Sequence, residues 1–250
     1  MTNIFTIKEV VNYSWEKVKK HLGFFILLSI IIFLITYIPQ TVNKLTTTDE
    51  NQFSVMGILF HLIFWFLQII VSIGITKLCL NVVYDKIEKP KIKDLFSGSD
   101  LFIKYLLASI LFSAFVFLPT GIIFAFFILM MVLKVNIIIN IILGILGLAS
   151  LVFMIIYSIR LSYYPYFIIE GLGIIESLKK SYKITKGLVW SLMVLGFVLG
   201  LINLLGLLCL GVGLLVTIPI SYIATAYVYK KMKEVNFNNP TPPEIKSESI

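Results

Sequence analysis

Charge is scarce in this chain, and it clusters between the apolar runs. Charged residues make up 14% of the 250 positions, against about 25% in an ordinary soluble domain. No Asp or Glu falls inside a long apolar run, and the histidines are two, His21 and His61. Embedded proteases and proton-driven pumps draw on several acids or histidines at lipid depth, so neither class is expected. Cysteine is equally sparse. Cys79 and Cys209 both lie within apolar runs, without a CxxC partner or metal-ligand spacing. Each reads as a small buried apolar residue, with no disulfide framework and no metal site. The sequence also lacks HExxH, GxSxG, a Walker loop and a dinucleotide fingerprint. No catalytic residue, no cofactor-binding residue and no cofactor is therefore expected. The charged lead through Lys20 is long, and Ile38-Pro39-Gln40 offers no small-residue cleavage site, so no cleavable signal peptide is expected.

Apolar residues fill the space left by these absences. They make up 59% of the chain, and mean hydropathy is +0.99. One water-soluble core cannot hide that much, so part of the solvent must be lipid. Spans of about 20 residues cross a bilayer as helices. Six apolar runs qualify, at 22–38, 55–80, 102–130, 137–159, 188–207 and 212–229. The third is long, starts at the interface and is interrupted by Pro119-Thr120-Gly121, which leaves its end open between Pro119 and Lys134. Glycines at 206, 211 and 213 make the turn between the last two. The expected fold is all-α: an integral membrane six-helix bundle forming one domain over 1–234. The tail at 235–250 is polar, proline-containing and without apolar periodicity, and it reads as disordered.

Net charge is +8. A nucleic-acid partner is not expected, because no basic module of that kind is present. The lysines instead sort by side. Lys8, Lys17, Lys19 and Lys20 precede the first span; Lys86, Lys89, Lys91 and Lys93 follow the second. Lys179, Lys180, Lys183 and Lys186 precede the fifth; Lys230, Lys231, Lys233 and Lys246 follow the sixth. Lys44 and Lys134 fall to the opposite side, while Lys77, Lys104 and Arg160 sit near span ends and count for neither. The positive-inside rule then places both termini in the cytoplasm, and anionic lipid is the expected partner of the basic face.

The cytoplasmic segments share a pattern. Tyr84, Glu88, Asp94, Ser99 and Lys104 fit Y-x3-E-x5-[DE]-x4-S-x4-K, and so do Tyr166, Glu170, Glu176, Ser181 and Lys186. Glu9, Ser14 and Lys19 match its second half. The expectation is three repeats, each an amphipathic interfacial helix followed by a transmembrane hairpin. In the first, Ile7, Val10, Val11, Trp15, Val18 and Leu22 share the apolar side. In the third, Ile174, Leu178, Tyr182 and Thr185 do.

Residues 160–170 read RLSYYPYFIIE and 176–187 read ESLKKSYKITKG; 211–219 read GVGLLVTIP, with ATAY at 224–227. These stretches resemble a broad group of bacterial membrane proteins that includes the membrane domain fused to some glycerophosphodiester phosphodiesterases. The resemblance covers most of the chain through loose motifs. It implies six spans and the bacterial inner membrane, but no reaction, since the phosphodiesterase domain is missing here.

Two sets of residues carry the candidate chemistry. Arg160 is the one arginine among 21 basic residues, and its planar fork suits carboxylate or phosphate. It reads as one half of an ion pair with Glu170 or Glu176, as a lipid-phosphate contact, or as a snorkelling side chain. Lys179 and Lys180 are the adjacent headgroup candidates. His61, Trp65, Gln68 and Ser72 fall on one helical face, as a polar path through the bundle or as an interhelical hydrogen-bond stripe. Small residues at Gly196 and Gly200, with Asn203, mark an expected helix contact; so do Asn140, Gly144 and Gly147, and Gly213, Thr217, Ser221 and Thr225. The functional expectation is a non-enzymatic scaffold or accessory subunit, with lipid and a membrane-protein partner as its contacts. The alternative is a small transporter or channel for an amphiphile, peptide or ion. Protection against a membrane-active peptide is a third reading, without residue-level support.

Overall fold

The computed structural model describes residues 4–46, 55–133 and 136–238. Among these residues there is no strand. Nine α-helices run through them: α1 (Ile7–Lys20), α2 (Leu22–Thr46), α3 (Val55–Val83), α4 (Phe102–Val132), α5 (Ile137–Leu161), α6 (Tyr164–Ile169), α7 (Ile174–Ile184), α8 (Val189–Leu208) and α9 (Leu214–Asn238). A pair of 3-10 turns, Ile92–Phe96 and Ser99–Leu101, leads into α4.

Five of the described helices are long and apolar enough to cross a membrane: α2, α3, α4, α5 and α8. The sixth expected span, within α9, falls short of that measure, so five and not six of the described helices meet it. Ile220, Ile223, Ala224, Ala226, Val228, Tyr229 and Met232 of α9 are all buried. The helix is packed against α1, α2, α3 and α8. A helix sheathed by protein meets little lipid and can carry polar side chains that bond inside the bundle. Thr225 and Ser221 donate to backbone carbonyls one turn earlier in α9, and Asn203 of α8 donates to Ser221 Oγ at 3.0 Å. Helix α9 also continues through Asn238, past the expected start of the disordered tail; residues 239–250 lie outside the described residues. Lys44 and Lys134 likewise lie outside the side chains described.

The third span is one continuous helix. Pro119 and Gly121 sit inside α4, which ends at Val132 with Leu133 as its cap. Proline removes one backbone donor but does not end a helix whose remaining turns are held by neighbours. Here the neighbour is α5. Thr120 Oγ1 donates to the Ser150 carbonyl at 3.1 Å, and Ser150 Oγ to the Gly147 carbonyl at 2.7 Å. The rest of that hairpin turns outward: Ile122, Ile128, Val132, Ile138 and Leu148 are all exposed apolar residues.

The three segments before α2, α4 and α8 differ in form. Helix α1 is capped by Thr6, whose Oγ1 accepts from the Glu9 amide at 3.3 Å, and its last turn carries Lys17, Lys19 and Lys20. Glu9 in the first turn and the lysines in the last complement the helix dipole. Val10, Ser14 and Val18 are its buried stripe, while Trp15 is exposed. Helix α7 has its buried stripe at Ser177, Ser181 and Ile184. Tyr182, expected on the apolar side, faces out. The middle segment is not an amphipathic α-helix. Pro90 precedes it and Gly98 divides it, so the chain breaks into two short 3-10 turns. This segment lies across α3 at Gly74. A Cβ on Gly74 would overlap the Leu95 carbonyl and stand 2.7 Å from Leu95 Cα. Lys77 Nζ donates to the Ser97 carbonyl at 2.6 Å and ties the turn down beside it.

The small-residue contacts sort unevenly. Gly206 and Gly213 do meet: a Cβ on Gly213 would lie 2.6 Å from Gly206 Cα. A Cβ on Gly147 would lie 3.7 Å from the Phe124 ring, an ordinary contact. Gly196, Gly200 and Gly144 have nothing within 4 Å of a built Cβ, so the expected Gly196/Gly200 contact is not made among the described residues. Cys79 is buried as expected; Cys209 is exposed at the end of α8.

Candidate functional site

At one end of the molecule charged residues from four stretches of the chain meet. The lysine-bearing end of α9 meets α1, the end of α3 and the end of α6 there. Tyr227 OH donates to Glu9 at 2.6 Å, and Lys231 pairs with the same carboxylate at 3.2 Å. Tyr229 OH donates to Glu170 at 2.9 Å, and Lys233 Nζ reaches its other oxygen at 2.6 Å. Each acid is thus held by a tyrosine and a lysine one turn apart on α9. Lys17 pairs with Asp85, and Lys230 Nζ donates to the Val83 carbonyl at 3.2 Å. Tyr13 stacks on Tyr227 with centroids 4.0 Å apart.

These bonds set a pH dependence for the docking of α1. The hydrogen bond from Tyr227, then that from Lys231, holds the Glu9 carboxyl below the ordinary glutamate range. The Lys17 hydrogen bond does the same for Asp85. A lowered native pKa stabilises the folded form above the unfolded pKa, and that contribution fades as pH falls through the native value. The attachment of α1 should therefore loosen below about pH 4. Amide hydrogen exchange of α1 in detergent should accelerate there while α3 stays protected. Tyr227→Phe should move the onset to higher pH.

Glu170 is therefore engaged with α9 rather than with Arg160. Glu176 pairs with Lys180 one turn away at 3.1 Å, on the surface of α7. The expected ion pair between Arg160 and either acid is not formed. Arg160 instead lays its guanidinium over the Tyr182 ring, 3.5 Å from the centroid, and donates to the Tyr182 carbonyl at 3.4 Å. Its Nε is buried without a hydrogen-bond partner among the described residues.

The arrangement grows from the end of α5. The last carbonyls of a helix lack intrahelical donors, and α7 supplies them. Ser181 Oγ donates to the Arg160 carbonyl at 2.9 Å, Thr185 Oγ1 to the same oxygen at 3.1 Å, and Ser181 Oγ accepts from the Tyr163 amide at 3.1 Å. With Ser181 and Thr185 turned inward, helical spacing turns Lys179, Tyr182, Lys183 and Lys186 outward along one side. Above them opens a groove of about 1760 Å³ between α4, α5, α7 and α8. Phe115, Tyr157 and Tyr182 form a ladder on its wall, with centroids 5.5 Å and 5.9 Å apart, ending at the Arg160 cation. From sequence, Arg160 and Lys179 stand out, whereas Tyr182 does not announce itself as the platform for the guanidinium. The usable sign is its helical spacing from Lys179, Lys183 and Lys186.

The second candidate set does not converge. His61 and Trp65 lie on the outer surface of α3, and Gln68 is half-buried. Ser72 is half-buried, at 3.2 Å from Tyr105 OH of α4. The upper part of the stripe faces away from the bundle, so it does not line a path through it. Its lower end is an interhelical hydrogen bond.

Comparison with known proteins adds one result. A family model described as a protein of unknown function (DUF975) matches residues 4–236. The chain belongs to the DUF975 family. That match spans the described helices and the basic groove, and it brings no link to the glycerophosphodiester phosphodiesterase membrane domain. No curated protein and no solved structure matches the chain.

Proposed function

We propose that this DUF975 member is a non-enzymatic scaffold or accessory subunit of the bacterial inner membrane, resting on anionic lipid through its basic helices. Six spans, with α9 as the sixth, and both termini in the cytoplasm complete the reading. The observation that carries it is the shared end described above. Glu9, Asp85, Glu170 and Lys231 come from four separate stretches of the chain and meet at one end of the bundle. Alternating spans would bring those stretches to one side, and the lysine asymmetry makes that side cytoplasmic. The three successions of short interfacial segment and two long helices support a repeated unit. The outward-facing His61 favours the scaffold over the transporter.

Topology is the direct test. Single cysteines at Lys89 and Lys183, in a background without Cys79 and Cys209, should resist a membrane-impermeant maleimide in intact cells and react after permeabilisation. A reporter fused after Ile250 should be active in the cytoplasmic form. Labelling of position 89 or 183 in intact cells would overturn the orientation. Catalytic turnover by the purified chain alone would overturn the non-enzymatic reading.

A further inference from the structure

The groove above α7 combines features that a general lipid-contacting face does not need. Its lining holds Arg160, Lys179, Lys183 and Lys186 and, among the described residues, no carboxylate. The nearby acids are engaged elsewhere, Glu176 with Lys180 and Glu170 with Lys233. Like charges one turn apart repel, and among the described residues no carboxylate forms an ion pair with Lys179, Lys183 or Lys186. Arg160 is held in place by the Tyr182 ring, with a buried Nε that has no partner among the described residues. A guanidinium pinned at the wall of a groove without described carboxylates suits a phosphate oxygen.

The other limb is apolar. Leu111 and Phe115 of α4 and Trp190 of α8 line it. Phe115 stands roughly 20 Å along α4 from the helix start. Pockets for drug-sized ligands enclose about 300–1,000 Å³. At about 1760 Å³ this groove is larger than such a ligand or a free phosphate needs. Basic pockets between membrane helices at the cytoplasmic face are headgroup sites.

We infer that the α4–α5–α7–α8 groove binds a single anionic phospholipid, its phosphate on Arg160, Lys183 and Lys186 and an acyl chain along Leu111, Phe115 and Trp190. This rests on the proposed orientation, which puts the lysine row at the membrane surface, and it adds a defined site to a diffuse contact.

The test uses the full chain in a neutral detergent, with Trp15→Phe and Trp65→Phe leaving Trp190 as the fluorophore. Dioleoyl phosphatidylglycerol with brominated chains is the probe, since bromine quenches a tryptophan it touches. Quenching should saturate at one lipid per chain. Lys183→Gln with Lys186→Gln should weaken binding tenfold or more. Lys89→Gln with Lys93→Gln removes the same charge outside the groove and should change it less than twofold. Leu111→Tyr, which narrows the apolar limb without adding a tryptophan, should weaken binding without removing charge. Brominated phosphatidylcholine should bind at least tenfold more weakly, and inorganic phosphate at equal concentration should not displace the lipid. Equal weakening by the two lysine pairs would overturn the groove and leave the diffuse lipid contact standing. Displacement by phosphate, or no loss in Leu111→Tyr, would overturn the acyl limb. Equal binding of the two lipids would overturn both the site and the anionic-lipid reading.

Discussion

Gly74→Ala should destabilise the protein by about 3 kcal/mol or more, read as a large fall in thermal midpoint in detergent. The added Cβ would run into the backbone of Leu95, with Leu95 Cα at 2.7 Å. Backbone cannot swing aside as the tip of a side chain can. The turn would have to lift off α3, and three contacts go with it. Leu95 is 1% exposed and would leave its site. Gly98, whose own Cβ would stand 2.5 Å from Ile73 Cγ2, would lose its close approach. Lys77 would lose the Ser97 carbonyl. Gly196→Ala is the control. Nothing lies within 4 Å of its Cβ, and alanine favours a helix over glycine by about 1 kcal/mol. That substitution should be neutral or slightly stabilising. If Gly74→Ala matched it, the close approach of the turn to α3 would be wrong.

Tyr229→Ala should cost about 3–5 kcal/mol, the range for losing a large buried aromatic side chain. Tyr229 is fully buried, stacked on Tyr166 at 4.7 Å and edge-on to Phe167 at 5.2 Å. Its hydroxyl also holds Glu170. Tyr229→Phe keeps the packing and removes one hydrogen bond to a charged group, worth about 1.5–3 kcal/mol. Lys233 still holds the acid, which favours the lower end. Lys233→Gln should cost less than about 1 kcal/mol, because that lysine is 43% exposed and solvent screens the pair. The expected order is therefore Tyr229→Ala, then Tyr229→Phe, then Lys233→Gln. Thermal unfolding of the three variants in one detergent checks it. A larger effect for Lys233→Gln than for Tyr229→Phe would contradict the account of Glu170.

Local pattern makes the long helices readable, because apolar length alone decides them. Helices α2, α3, α5 and α8 start or end within a few residues of the expected spans. The middle interfacial segment departs from its pattern: Tyr84 to Lys104 carry the repeat's residues, while Pro90 and Gly98 forbid its helix. Tertiary placement decides the rest. Nothing near Glu170 in sequence points to Lys233, 63 positions away. Gly74 passes for one more glycine in an apolar helix, although a lone glycine in a regular helix can have a packing reason. For the groove, the lysine face of α7 is legible from spacing. The capping of α5 by Ser181 and Thr185, which aims that face, is not.

The helix at the centre of the bundle is the last of the described helices to be made. Tyr227 and Glu9 are 218 residues apart in sequence. At synthesis rates of 5–20 residues per second, α1 waits roughly 10–40 s for its partner. During that wait α1 can already meet the end of α3 through Lys17 and Asp85, but it lacks α9, the helix it packs against most. A chain cut short before α9 would leave α1, α2, α3 and α8 without the helix they pack around.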